Sequence, residues 1–76
     1  MDLNQFIKNF AEQFDETDVS EFMPDTEFRT FADWGSMVAL SIIAMIDEEY
    51  SVTINVEDFK KSKTIEELFN VVKENV

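Results

Sequence analysis

The sequence predicts an all-α fold: a small four-helix bundle, three main helices plus one short one, with a long first loop, in a single domain over residues 1–76. Three observations predict it. Apolar residues recur at helical spacing in three separate stretches, the first and last helices and the short one open on capping residues, and no second alternating run exists to pair into a sheet.

Leu3, Phe6, Ile7, Phe10 and Phe14 make the first stripe, with Asp2 ahead of it as an N-cap and Gln5 three residues on, so a helix is expected over about residues 3 to 14. Residues 15–32 then lose the period, and Pro24 disfavours helix at Met23. A connection of that length is unusual in so small a domain. Val19, Phe22, Met23, Phe28 and Phe31 are expected to pin it to the core, with room for a short helical turn.

Ser36 to Tyr50 reads SMVALSIIAMIDEEY, free of Pro and Gly. Stepping about 100° per residue puts Ala39, Ile42, Ile43, Ile46 and Tyr50 on a core face, and Met37, Val38, Ser41, Ala44, Met45 and Glu48 opposite. A helix apolar nearly all round is normally buried on both sides. Too little chain remains to cover the second side, so an exposed apolar patch is expected beside Ser36, flanked by Asp47, Glu48 and Glu49. Val52-Thr53-Ile54 alternates but is too short to build a sheet. Asn55 caps a short helix to about Lys61, and Thr64-Ile65-Glu66-Glu67 is a capping box for a last helix with the stripe Ile65, Leu68, Phe69, Val72 and Val76.

Composition narrows the chemistry. With neither Cys nor His, the chain has no disulfide and lacks the usual zinc ligands, and an enzyme would have to work with carboxylates, Lys60, Lys61 or Tyr50 alone. No catalytic residue is assigned. Asp47, Glu49, Ser51, Thr53, Asn55 and Asp58 have the spacing of a calcium loop, but Val52 stands where the sharp turn demands Gly, and no metal site is assigned. A net charge of −11, from seventeen acids and six bases, repels nucleic acid and steers basic protein surfaces toward the chain. No stretch has the length of a membrane span. The opening MDLNQFIKNF does not read as a signal peptide, so a free-standing cytoplasmic monomer is expected.

Residues 33–40, DWGSMVAL, hold the chain's only glycine and only tryptophan, directly before Ser36. Ser36 suits an N-cap; Asp33 and Gly35 are rivals, and if either caps the helix the Ser36 hydroxyl is free in the first turn. There a phosphate esterified to it would sit at the positive end of a helix. Gly35 would let a partner protein approach the backbone, and Trp34 either anchors the loop or flanks the attached group.

The order of elements, and the segment DWGSMVALSIIAMIDEEYSVTINVEDF, resembles the acyl carrier protein family over essentially the whole chain. Ser36-Met37 matches the family's Ser-Leu/Met pair; Asp47, Glu48, Glu49 and Tyr50 match its acidic, aromatic helix end; Ile54, Asn55 to Phe59 and Thr64-Ile65 match its later elements. The resemblance implies 4'-phosphopantetheine attached to Ser36 by a phosphopantetheinyl transferase. It also implies acyl cargo held as thioesters, in a chain with no thiol of its own, and presented to acyl-transferring and chain-elongating enzymes with basic surfaces. Gly35, Met37, Val38, Ser41, Met45 and Glu48 would form the partner-binding surface. Two departures stand out: Gly35 replaces the usual Asp, and Val38 and Ser41 replace acids on the partner side, which points to a specialised fatty-acid or polyketide-like pathway. The rival reading is an unmodified acidic adaptor that grips a partner helix through Met37, Val38 and Met45.

Overall fold

The computed structural model describes all residues, Met1–Val76, as four α-helices and two single 3-10 turns, with no β-strand. The α-helices are α1 (Leu3–Ala11), α2 (Ser36–Tyr50), α3 (Val56–Lys61) and α4 (Ile65–Asn75). The 3-10 turns, Val19–Glu21 and Phe28–Thr30, lie in the long connection between α1 and α2. No helix is long and apolar enough to cross a membrane.

The Asp2 carboxylate caps α1 by accepting from the Asn4 N–H at 3.1 Å. Gln5 does not complete the capping box; its amide donates to Asn9 Oδ1 one turn on, at 3.0 Å. The α-helix ends at Ala11 rather than Phe14, because the chain tightens there. Gln13 N–H bonds to the Phe10 carbonyl and Phe14 N–H to that of Ala11, which are the closer bonds of a 3-10 turn. The tightened turn still delivers Phe14 to the core, where it stacks on Trp34.

α1 is the aromatic spine. Phe6 meets Phe69 of α4 edge-on at 5.4 Å and Tyr50 of α2 at 5.6 Å. Phe10 meets Phe14, Phe22 and Phe28 within 6.1 Å. Ile42, Ile46, Ile65, Leu68 and Val72 close the core from α2 and α4, all fully buried.

The long connection stays ordered because its backbone is used. Pro24 and Thr26 carbonyls accept from the Glu66 and Ile65 N–H groups at the start of α4, and Glu27 pairs with Thr64 in an isolated antiparallel bridge. Thr26 Oγ1 accepts from Met23 N–H and donates to the Glu21 carbonyl. Phe22 and Phe28 are buried and Phe31 half-buried, as expected; Val19 and Met23 are exposed instead, since backbone bonds already fix their segment.

Val52 and Ile54 are buried with Thr53 exposed between them, an alternation realised without a partner strand. Asn55 Oδ1 caps α3 through the Glu57 N–H at 2.7 Å. Thr64 Oγ1 caps α4 through Glu67 N–H, while the Glu67 carboxylate reaches back to the Lys63 N–H. Val76 falls beyond α4 and is exposed, leaving the stripe to end at Val72.

Candidate functional site

α2 begins differently from its neighbours. Side chains cap α1, α3 and α4, whereas the N-cap of α2 is Gly35, which has none to offer. The first α2 bond runs from Ala39 N–H to the Gly35 carbonyl at 3.0 Å, so the N–H groups of Ser36, Met37 and Val38 have no intrahelical partner. Of the three rival caps, therefore, Gly35 takes the position. Ser36 is the first helical residue, exposed, with its hydroxyl unused as a cap.

Gly35 is extended (φ −175°), a conformation open to any residue, and a Cβ built on it meets nothing within 4 Å. The glycine thus answers no steric demand of the fold; it leaves the approach to Ser36 bare. Gly35→Asp should fit without strain and supply the missing cap. Its expected effect is a gain of about 0.5 kcal/mol, read as a small rise in melting temperature; a fall would contradict the open approach.

Asp33 is engaged elsewhere. Its carboxylate accepts from Thr17 Oγ1 at 2.7 Å and from the Glu16 N–H at 3.1 Å, tying the end of the connection back to its beginning. The Thr17 hydroxyl bond, opposed by desolvation and aided by the Glu16 N–H, holds the carboxyl below its usual range. The folded state therefore binds this proton less readily than the unfolded chain. The contribution is complete above the unfolded value, about pH 4, and is lost as pH falls through the lower folded one. Acid titration of stability should accordingly show a shallower loss in Asp33→Asn than in the parent; identical acid limbs would contradict the linkage.

Trp34 anchors the loop. Half-buried, it stacks on Phe59 of α3 at 6.3 Å and on Phe14 at 6.2 Å, and meets Phe28 at 5.3 Å. Arg29, the only arginine, lies over the Phe28, Phe59 and Trp34 rings at 4.8, 5.3 and 5.6 Å. Its guanidinium donates to the Phe59 and Ser62 carbonyls at the end of α3, and partial burial lowers its pKa. A lone arginine in an acidic, phenylalanine-rich segment was the available signal for this clamp.

The surface of α2 is not the one its sequence suggests. Met37 is 82% exposed and Leu40 66%, whereas Met45 is buried and Val38 half-buried against the core. Val38 and Met45 thus face inward together with Ile42 and Ile46. The expected core face is present as well, with Ala39, Ile43 and Tyr50 half-buried against the core beside the buried Ile42 and Ile46. Ser41 and Glu48 are exposed, as expected. They border an open groove of about 330 Å³ between α1 and α2, whose other walls include Asn9, Glu12, Gln13 and Met45. The apolar patch beside Ser36 is thus Met37 with Leu40, not Met37 with Val38 and Met45.

The start of α2 fits a phosphodiester on chemical grounds. A free hydroxyl stands at the positive helix end, three N–H groups have no intrahelical partner, and the first turn holds no acid. α3 and α4, by contrast, carry Glu57, Asp58, Glu66 and Glu67 in that turn. A comparison with protein families matches residues 4–72 to the family described as phosphopantetheine attachment site. No curated protein and no solved structure gave a significant match.

Proposed function

The chain belongs to the phosphopantetheine-attachment family, and from that premise we propose that it is an acyl carrier protein whose 4'-phosphopantetheine is borne on Ser36. The family's cofactor is covalently attached to a serine. The observation that carries the assignment to Ser36 is its place as an exposed, non-capping first residue of the one α-helix without a side-chain cap.

In loading, Ser36 Oγ yields its proton to a base supplied by a transferase and bonds to the phosphorus of coenzyme A's pantetheine side, and adenosine 3',5'-bisphosphate leaves. No histidine is required of the carrier. The Ser36, Met37 and Val38 N–H groups, with the helix dipole, would favour the anionic phosphate once it is attached. The attached group supplies a terminal thiol for acyl thioesters. The protein's own part is to hold the serine rigidly on α2, to leave Gly35 open to the transferase, and to draw basic partner surfaces through its −11 charge. Met37 and Leu40 give those partners an apolar contact beside the attachment point. The cargo is assigned to a specialised fatty-acid or polyketide-like pathway on the two departures at Gly35 and along α2.

The test is intact-mass measurement after incubation with coenzyme A and a broad-specificity phosphopantetheinyl transferase. One phosphopantetheinyl group per chain is expected. No gain with several transferases would favour the unmodified adaptor, gripping its partner through Met37 and Leu40.

A further inference from the structure

A carrier of apolar chains can enclose them or leave them outside, and the balance is steep, because each buried methylene is favourable by an amount close to that of a core methyl. Enclosure needs room within reach of the attachment point. Here the inward side of that point is filled. Trp34, two residues before Ser36, pairs near-parallel with Phe59 of α3, with ring planes 22° apart and centroids 6.3 Å apart. Phe28 meets both rings, at 5.3 and 6.2 Å. On α2 itself Ile42 and Ile46 are fully buried.

The stack is also held by a cation. Arg29 bonds to the Phe59 carbonyl at 2.7 Å while covering the Trp34, Phe28 and Phe59 rings, so backbone and ring of α3 are fixed together. On the outward side the surface is open and apolar: Met37 and Leu40, one and four residues past Ser36, are 82% and 66% exposed.

We propose that the Trp34–Phe59 stack seals the bundle at the start of α2, so that an acyl chain borne on Ser36 stays outside the helices, against Met37 and Leu40, and passes to partners without leaving the core. Trp34 is then a specificity-determining residue, excluding interior storage whatever the chain length. The inference rests on attachment at Ser36.

Its test uses butanoyl-, octanoyl- and dodecanoyl-coenzyme A with a broad-specificity transferase. Intact mass first establishes one acyl-phosphopantetheinyl group per chain; failure there counts against attachment itself, not against the seal. On the loaded proteins, melting temperature and the emission of Trp34, the only tryptophan, are then read against chain length. The expected result is a melting temperature flat within about 2 °C and an unmoved emission maximum. Enclosure would instead raise the melting temperature by roughly 3 °C or more per buried methylene and shift the emission, which would overturn the proposal. Trp34→Leu opens the seam, and a melting temperature that climbs with chain length only in that variant supports the seal. If the folded variant stays as flat as the parent, Trp34 is not the barrier. Should the variant not fold, the parent series alone decides.

Discussion

Replacing Phe10 with alanine is expected to lower the melting temperature by on the order of 15–30 °C. Phe10 is fully buried on the inner face of α1 and touches four other rings: Phe6, Phe14, Phe22 and Phe28. Those rings come from α1, the turn after it and two places in the long connection, so one side chain joins the spine to the segment that leads into α2. Truncating such a residue costs about 3–5 kcal/mol. A chain of this size is stable by only roughly 4–11 kcal/mol, and each kcal/mol is worth about 4–8 °C. No disulfide is present to limit the loss. The matching control is Met37→Ala, which removes a larger apolar side chain than alanine from an 82% exposed position; a change within about 0.5 kcal/mol is expected. Thermal denaturation followed by circular dichroism distinguishes the two, and comparable losses in both would contradict the packing described.

The second large effect is chemical. Ser36→Ala is expected to abolish phosphopantetheine incorporation while leaving thermal stability within about 0.5 kcal/mol of the parent. The two halves of that expectation come from the same geometry. An N-cap serine replaced by alanine typically loses about 1 kcal/mol, but the Ser36 hydroxyl caps nothing, and alanine is a good residue inside a helix. The other serines offer no substitute. Ser20 lies in a 3-10 turn, Ser41 is in the body of α2, Ser51 ends that helix, and Ser62 is buried with its hydroxyl bonded to the Asp58 carbonyl. Loss of loading together with a large fall in melting temperature would show that the hydroxyl has a structural part after all.

The elements whose pattern is one-sided were legible from the amino acids. α1 and α4 carry narrow apolar stripes behind capping residues, and Asp2, Asn55 and Thr64 each cap as their positions suggest. Ser36 was legible as a residue but ambiguous as a cap, because Asp33, Gly35 and Ser36 all suit that position. Tertiary bonds decided it: Asp33 is drawn away to Thr17 and the Glu16 N–H, sixteen and seventeen positions back along the chain, which local spacing does not encode. The outer face of α2 was legible only in part: Met37, Ser41 and Glu48 are exposed as expected, Val38 and Met45 are not. With apolar residues on all sides, the pattern marks the core face of Ala39, Ile42, Ile43, Ile46 and Tyr50 but not its width, which in the fold takes in Met45 and Val38 and leaves Leu40 outside. The end of α1 at Ala11 and the exposure of Val19 and Met23 go with tight local turn bonds, which apolar spacing does not encode.

The claim on which all else rests is that the uncapped start of α2 offers its serine for attachment of the arm. Peptide-level mass spectrometry of the protein after loading from coenzyme A tests it most directly, by locating the added group on the chain. The account predicts a single phosphopantetheinyl group, on Ser36, and none in Ser36→Ala; a group found on any other residue, or a loaded Ser36→Ala chain, would contradict it.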